Sequence, residues 1–155
     1  MPHKTLLALS LISGLLLSEM PVGAHHSFAK DFDADKPVTV KGVVSSVKWE
    51  NPHSLIYVDV KENGKAEKWT FEAFPPGVLY RKGLRQDRLK PGAEVTLMGF
   101  RARDGSNFAN LSLVVFPAEG KYFCVQFPSG ANAGASVPIP GTNEVCGGTE
   151  TGQYR

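Results

Sequence analysis

Apolar and polar residues alternate with a period of two along most of positions 38–116, the pattern of strands that bury one face. Val38 to Trp49 (VTVKGVVSSVKW) places Val38 and Val40 on one face, then Val43, Val47 and Trp49. The phase slips at Gly42, and a glycine at such a slip predicts a β-bulge or a sharp bend. Glu50-Asn51-Pro52-His53 reads as a turn, and Ser54 to Lys61 (SLIYVDVK) as a second strand. Asn63-Gly64 is a strong hairpin signal. It leads into a third strand, Ala66 to Phe74, with Trp69, Phe71 and Ala73 on one face.

The texture then changes. Pro75-Pro76-Gly77 opens VLYRKG, two turns of helix with Pro76 suited to the first turn and Gly83 to the end. After a Pro91-Gly92 turn come a fourth strand, Glu94 to Arg101, and a fifth, Phe108 to Phe116, the latter alternating Ala109, Leu111, Leu113 and Val115. Asp104 to Asn107 is the turn between them. Five strands, with one short helix between the third and fourth, predict an all-β fold: a small five-stranded OB-like β-barrel, which closes its own edges. An open sheet or a small sandwich is the alternative.

The ends differ from this middle. Lys4 precedes an apolar run, Leu6 to Leu17, and a stretch ending Val22-Gly23-Ala24. A positive residue, a short apolar run and small residues at the last and third-last positions describe a secretory signal cut after Ala24. The run is well short of the ~20 residues that span a bilayer, so the mature protein is expected to have no membrane span. The expected organisation is a signal over 1–24, an N-terminal arm over 25–37, the barrel over 38–117 and a Gly/Pro-rich extension over 118–155, in which Gly120 to Phe127 can add an edge strand. Export makes one disulfide the simplest use of Cys124 and Cys146. The protein is accordingly expected in the periplasm or secreted.

Of the 155 residues, 17 are Lys or Arg and 15 are Asp or Glu, a formal charge of +2. Such a balance supplies no field for nucleic acid. Cleavage after Ala24 would make His25 the first residue of the mature chain. An N-terminal histidine offers its α-amine and a ring nitrogen to one metal ion, and His26 adds a second imidazole. Amine and imidazole nitrogens suit Cu(II). The one histidine downstream is His53, in the Asn51-Pro52-His53 turn at a barrel mouth. Asp31, Asp33 and Asp35 place oxygen ligands nearby in sequence. A copper site formed by His25, His26 and His53 is therefore the first functional candidate.

The second is a small organic anion or a protein partner, taken by Asn51, Arg101 and Arg103 with aromatic neighbours. A basic cluster (Arg81, Lys82, Arg85, Arg88, Lys90, then Arg101 and Arg103) comes with Tyr80 and Phe100 and is diluted by Asp87, Glu94 and Asp104; a solvated face is the simpler reading of it. The chain contains no GxSxG, HExxH or Gly-rich phosphate loop. Glu72 on the third strand has no evident partner. No enzymatic activity is expected.

The runs AHHSFAKDFDADKPVTVKGVV, VKWENPHSLIYVDV, WTFE, LYRKG and LKPGAEVTLMGFRARDGSNFAN together resemble a family of small exported bacterial proteins known only as a domain of unknown function. The resemblance covers about Ala24 to Val115. It implies a periplasmic OB-like barrel and no particular activity, ligand or catalytic residue. The cysteine-containing tail beyond Gly120 departs from the shorter ending of that family.

Overall fold

The structure, a computed structural model, describes residues 28–62, 64–125, 137–143 and 145–146. The expected signal sequence, His25, His26 and much of the Gly/Pro-rich tail lie outside the described residues. A single helical turn, Phe28–Asp31, leads directly into β1 (Phe32–Lys48). β2 (Ser54–Glu62) and β3 (Lys65–Ala73) form the hairpin expected at Asn63-Gly64. A short helix (Pro76–Arg81), with proline in its first turn, and a 3-10 turn (Gln86–Arg88) precede β4 (Glu94–Ala102) and β5 (Phe108–Phe116). β6 (Lys121–Cys124) then runs beside β5, and β7 (Val137–Pro138) pairs with β8 (Val145–Cys146).

The all-β expectation is met, but the count of five strands is corrected to six. The main sheet runs β3-β2-β1-β4-β5-β6, and a short parallel contact of β3 with β5 (Thr70 to Glu72 against Phe108 to Asn110) bends it into a barrel-like shape. The N-terminal half of β5 pairs with β3 and its C-terminal half with β6, so β6 covers the edge that β3 leaves open.

Two patterns in the sequence resolve differently from expectation. β1 begins at Phe32 and not at Val38, because Phe32 pairs with Ala102 of β4. Its interior positions are Val40 and Val44, with Val38 and Val47 packed against the same core, while Val43 faces outward. The alternation passes straight through Gly42, and the register shift lies between Val44 and Ser46. Gly42 holds an inward position where a Cβ would stand 2.6 Å from the Asp59 carbonyl oxygen and 2.6 Å from the Val58 side chain. Its missing side chain, and no bend at that residue, explains the apparent slip.

β5 departs further. Ala109 and Leu111 belong to the interior, as do Val114 and Phe116, whereas Leu113 belongs to a second cluster on the outer face. The change of phase coincides with a register irregularity between Met98 and Gly99 of β4. The outer cluster joins Phe32, Met98, Phe100, Leu113 and Tyr122 to Val137, Ile139 and Cys146. β4 and β5 are therefore buried on both faces. The inner face closes the barrel, and the outer one is roofed by the arm and by the β7–β8 pair, which the Cys124–Cys146 disulfide ties to β6.

At the irregularity a side chain accepts a backbone hydrogen bond across the strands. The Phe100 N–H donates to Asn110 Oδ1 at 3.0 Å, and Asn110 is fully buried. Asn110→Ala strands that N–H and is expected to cost about 2 kcal/mol of stability. Ser112, beside it, is also buried, and its hydroxyl has no partner among the described residues. Ser112→Ala is expected to be neutral within ~0.5 kcal/mol, since nothing satisfied is lost. Chemical denaturation of both variants checks the contrast.

Candidate functional site

The turn after β1 places the first candidate residue. β1 ends at Lys48, the Asn51–Pro52 peptide is cis, and β2 begins at Ser54. The hairpin register sets Leu55 opposite Glu72 and Ser54 opposite Ala73. His53 therefore lies beside Glu72, with Nδ1 3.3 Å from Oε1. Both side chains keep contact with solvent, at 34% and 25% exposure. A carboxylate at one ring nitrogen orients the imidazole and leaves Nε2 to face a ligand, the arrangement in which metal-bound histidines are commonly held. Glu72, which has no evident partner in the sequence, acquires one by counting outward from Asn63-Gly64.

The surroundings of this pair connect it to the N-terminal arm. Phe100 of β4, Asn110 of β5 and Glu72 of β3 are successive register partners. They form a row across the outer face, and two strand spacings make it about 10 Å long. Asn110 Nδ2, in the middle of the row, is buried without a hydrogen-bond partner among the described residues. Phe28 closes the other end: its ring meets Phe100 edge-on at 5.8 Å and Phe32 at 5.6 Å. Arg103 fastens this arm, its Nε donating to the Ala29 carbonyl at 2.8 Å and its backbone N–H to the Asp31 carbonyl at 3.0 Å.

The other sequence candidates are spread out. Arg101 lies over the Trp69 ring at 5.2 Å and donates to the Ser106 carbonyl and to Asn107 Oδ1. It shapes the turn between β4 and β5. Asn51 is exposed in the turn before His53. The Asp33 carboxyl sits below its ordinary pKa, chiefly because the Asp35 backbone N–H donates to it, with Lys36 adding. Asp104 is lowered likewise by the hydroxyl and backbone N–H of Ser106. Both acids serve local turns. Among the described residues no three His, Cys, Asp or Glu side chains gather as a metal site, so His53 and Glu72 stand as a pair. No described helix is long and apolar enough to cross a membrane.

A family model described as a family of unknown function (DUF6152) matches residues 14–110. That span contains the His53–Glu72 pair and ends within β5, before the disulfide and the β7–β8 pair. No curated protein and no solved structure matches the chain.

Proposed function

The chain belongs to the family of unknown function DUF6152, and from that premise we propose that it is a non-enzymatic, exported binding protein whose ligand is a copper ion. The observation that carries this reading is the His53–Glu72 contact at 3.3 Å. It supplies one oriented imidazole at the end of the outer row whose other end holds Phe28. The remaining donors come from the mature N-terminus. His26 and His25 stand two and three residues before Phe28. Three residues of extended chain reach about 10 Å, the length of the row from Phe100 to Glu72. In this reading the arm runs along that row and presents the His25 α-amine and the imidazoles of His25 and His26 toward His53 Nε2. Four nitrogens of this kind suit square-planar Cu(II).

In this site Glu72 is a positioning residue. It holds the His53 ring in place, and it makes no bond to the ion. Binding falls as pH falls, because the amine and imidazoles must shed protons to coordinate. The Cys124–Cys146 bridge and the outer-face roof it secures fit an oxidising compartment, and the periplasm is the expected location.

The test is a Cu(II) titration of exported protein whose first residue is verified as His25. His53→Ala, and a form carrying one extra residue before His25, are each expected to lose ~100-fold in affinity, about 2.7 kcal/mol. Glu72→Gln is expected to lose ~10-fold. Unchanged affinity in His53→Ala would reduce the site to a simple N-terminal chelator.

A further inference from the structure

A groove of about 810 Å³ opens beside the helical cap, between the end of β1 and the 3-10 turn. Its apolar side is Trp49 and the buried Leu89. Tyr80, the most exposed large hydrophobic side chain among the described residues at 59%, stands on its rim with Arg85 and Lys90. The Arg85 guanidinium lies over the Tyr80 ring at 4.9 Å.

The arginines around the fold are not equivalent. Arg88 is paired with Glu119, Arg101 is spent on Ser106 and Asn107, and Arg103 is spent on Ala29. Among the described residues, Arg85 has the Tyr80 ring and no oxygen partner. A guanidinium held over a ring by cation–π attraction keeps its N–H donors available, and their fork matches a carboxylate bidentately. Lys90 adds a second positive charge on the same rim, against one opposing carboxylate, Asp87. The exposed Tyr80 ring and the Arg85 guanidinium over it lie on the same rim. Together with Trp49 they provide an apolar wall and an anion clamp.

We propose that this groove binds a small carboxylate that carries a planar ring, the ring against Trp49 and Tyr80 and the carboxylate on Arg85 and Lys90. This site is separate from the proposed copper ligands, and its test is run in metal-free buffer, so either can fail alone.

The chain has two tryptophans, Trp49 in the groove and Trp69 under Arg101 at another part of the barrel. Titration with 2-naphthoate, followed by the two indole N–H signals in NMR and assigned with Trp69→Phe, is expected to shift Trp49 saturably and leave Trp69 in place. Arg85→Gln is expected to weaken binding at least tenfold. Asp87→Asn is expected to tighten it severalfold, and it leaves the clamp and the fold intact. Acetate, which lacks the ring, and 2-naphthylmethanol, which lacks the charge, are each expected to bind at least tenfold more weakly. No saturable Trp49 shift, equal binding by Arg85→Gln, or equal binding of the uncharged probe would overturn the assignment.

Discussion

Gly99→Ala is expected to cost about 4 kcal/mol or more of unfolding free energy, at the exceptional end for one methyl group. A Cβ at Gly99 would lie 1.7 Å from the Asn110 carbonyl oxygen and 2.9 Å from its carbonyl carbon. Those atoms are backbone, in the paired strand, and cannot rotate away as a side chain would. Relief requires β4 and β5 to separate where the Phe100 N–H donates to Asn110 Oδ1. That is also where both faces of the sheet change phase, so the inner cluster and the outer cluster are disturbed together. Gly77→Ala provides the control. It lies in the short helix, where the nearest atom to a new Cβ is the end of the Arg81 side chain at 3.7 Å. It is expected to be neutral or slightly stabilising, since alanine is the better helix former. Urea denaturation of the two variants separates a steric cause from general sensitivity to substitution at glycine.

Replacing both cysteines, Cys124→Ser with Cys146→Ser, is expected to cost roughly 3 kcal/mol by freeing the loop of the unfolded chain. The bond spans a sequence separation of 22 and joins β6 to the two-residue strand β8. β7 and β8 are too short to hold by their own ladder. What holds them is the bond and the burial of Val137, Ile139 and Cys146 against Met98, Phe100, Leu113 and Tyr122. The damage should therefore be uneven. Proteolysis is expected to cut first between 137 and 146, while the interior cluster around Ile56, Phe71 and Leu97 survives. Simultaneous loss of both regions would show that the outer roof is integral to the barrel core.

The strands were legible because most of them bury one face only. β2 and β3 alternate cleanly, and Asn63-Gly64 names their turn. The same signals carried the helix, where Pro76 opens the first turn. β4 and β5 obscure their register because both faces are buried, so FANLSLVVF supports either phase and the bulge opposite Gly99 leaves no mark of its own. Gly42 misled for the opposite reason: a strand in register with an inward glycine looks like a strand out of register. The outer aromatic cluster of Phe28, Phe32, Phe100 and Phe108 was hidden because its members come from segments far apart in sequence.

Of the candidate site, His53 was visible as the one imidazole placed on a turn. Its partner Glu72 was not, although the hairpin register contained the answer. Charge and aromatic neighbours mark Arg101 and Arg103 as ligand residues in the sequence. Their bonds to Ser106, Asn107 and Ala29 depend on how the loop and the arm fold back, which charge does not encode.

The central claim is that His53 and the mature N-terminus hold the same copper ion. Pulsed EPR of the processed protein with one equivalent of Cu(II) tests it most directly, by counting coordinated imidazoles through their remote nitrogens. The account predicts that His53→Ala loses one imidazole from the spectrum while the amine and arm imidazole signals remain. Identical spectra from wild type and His53→Ala would contradict it.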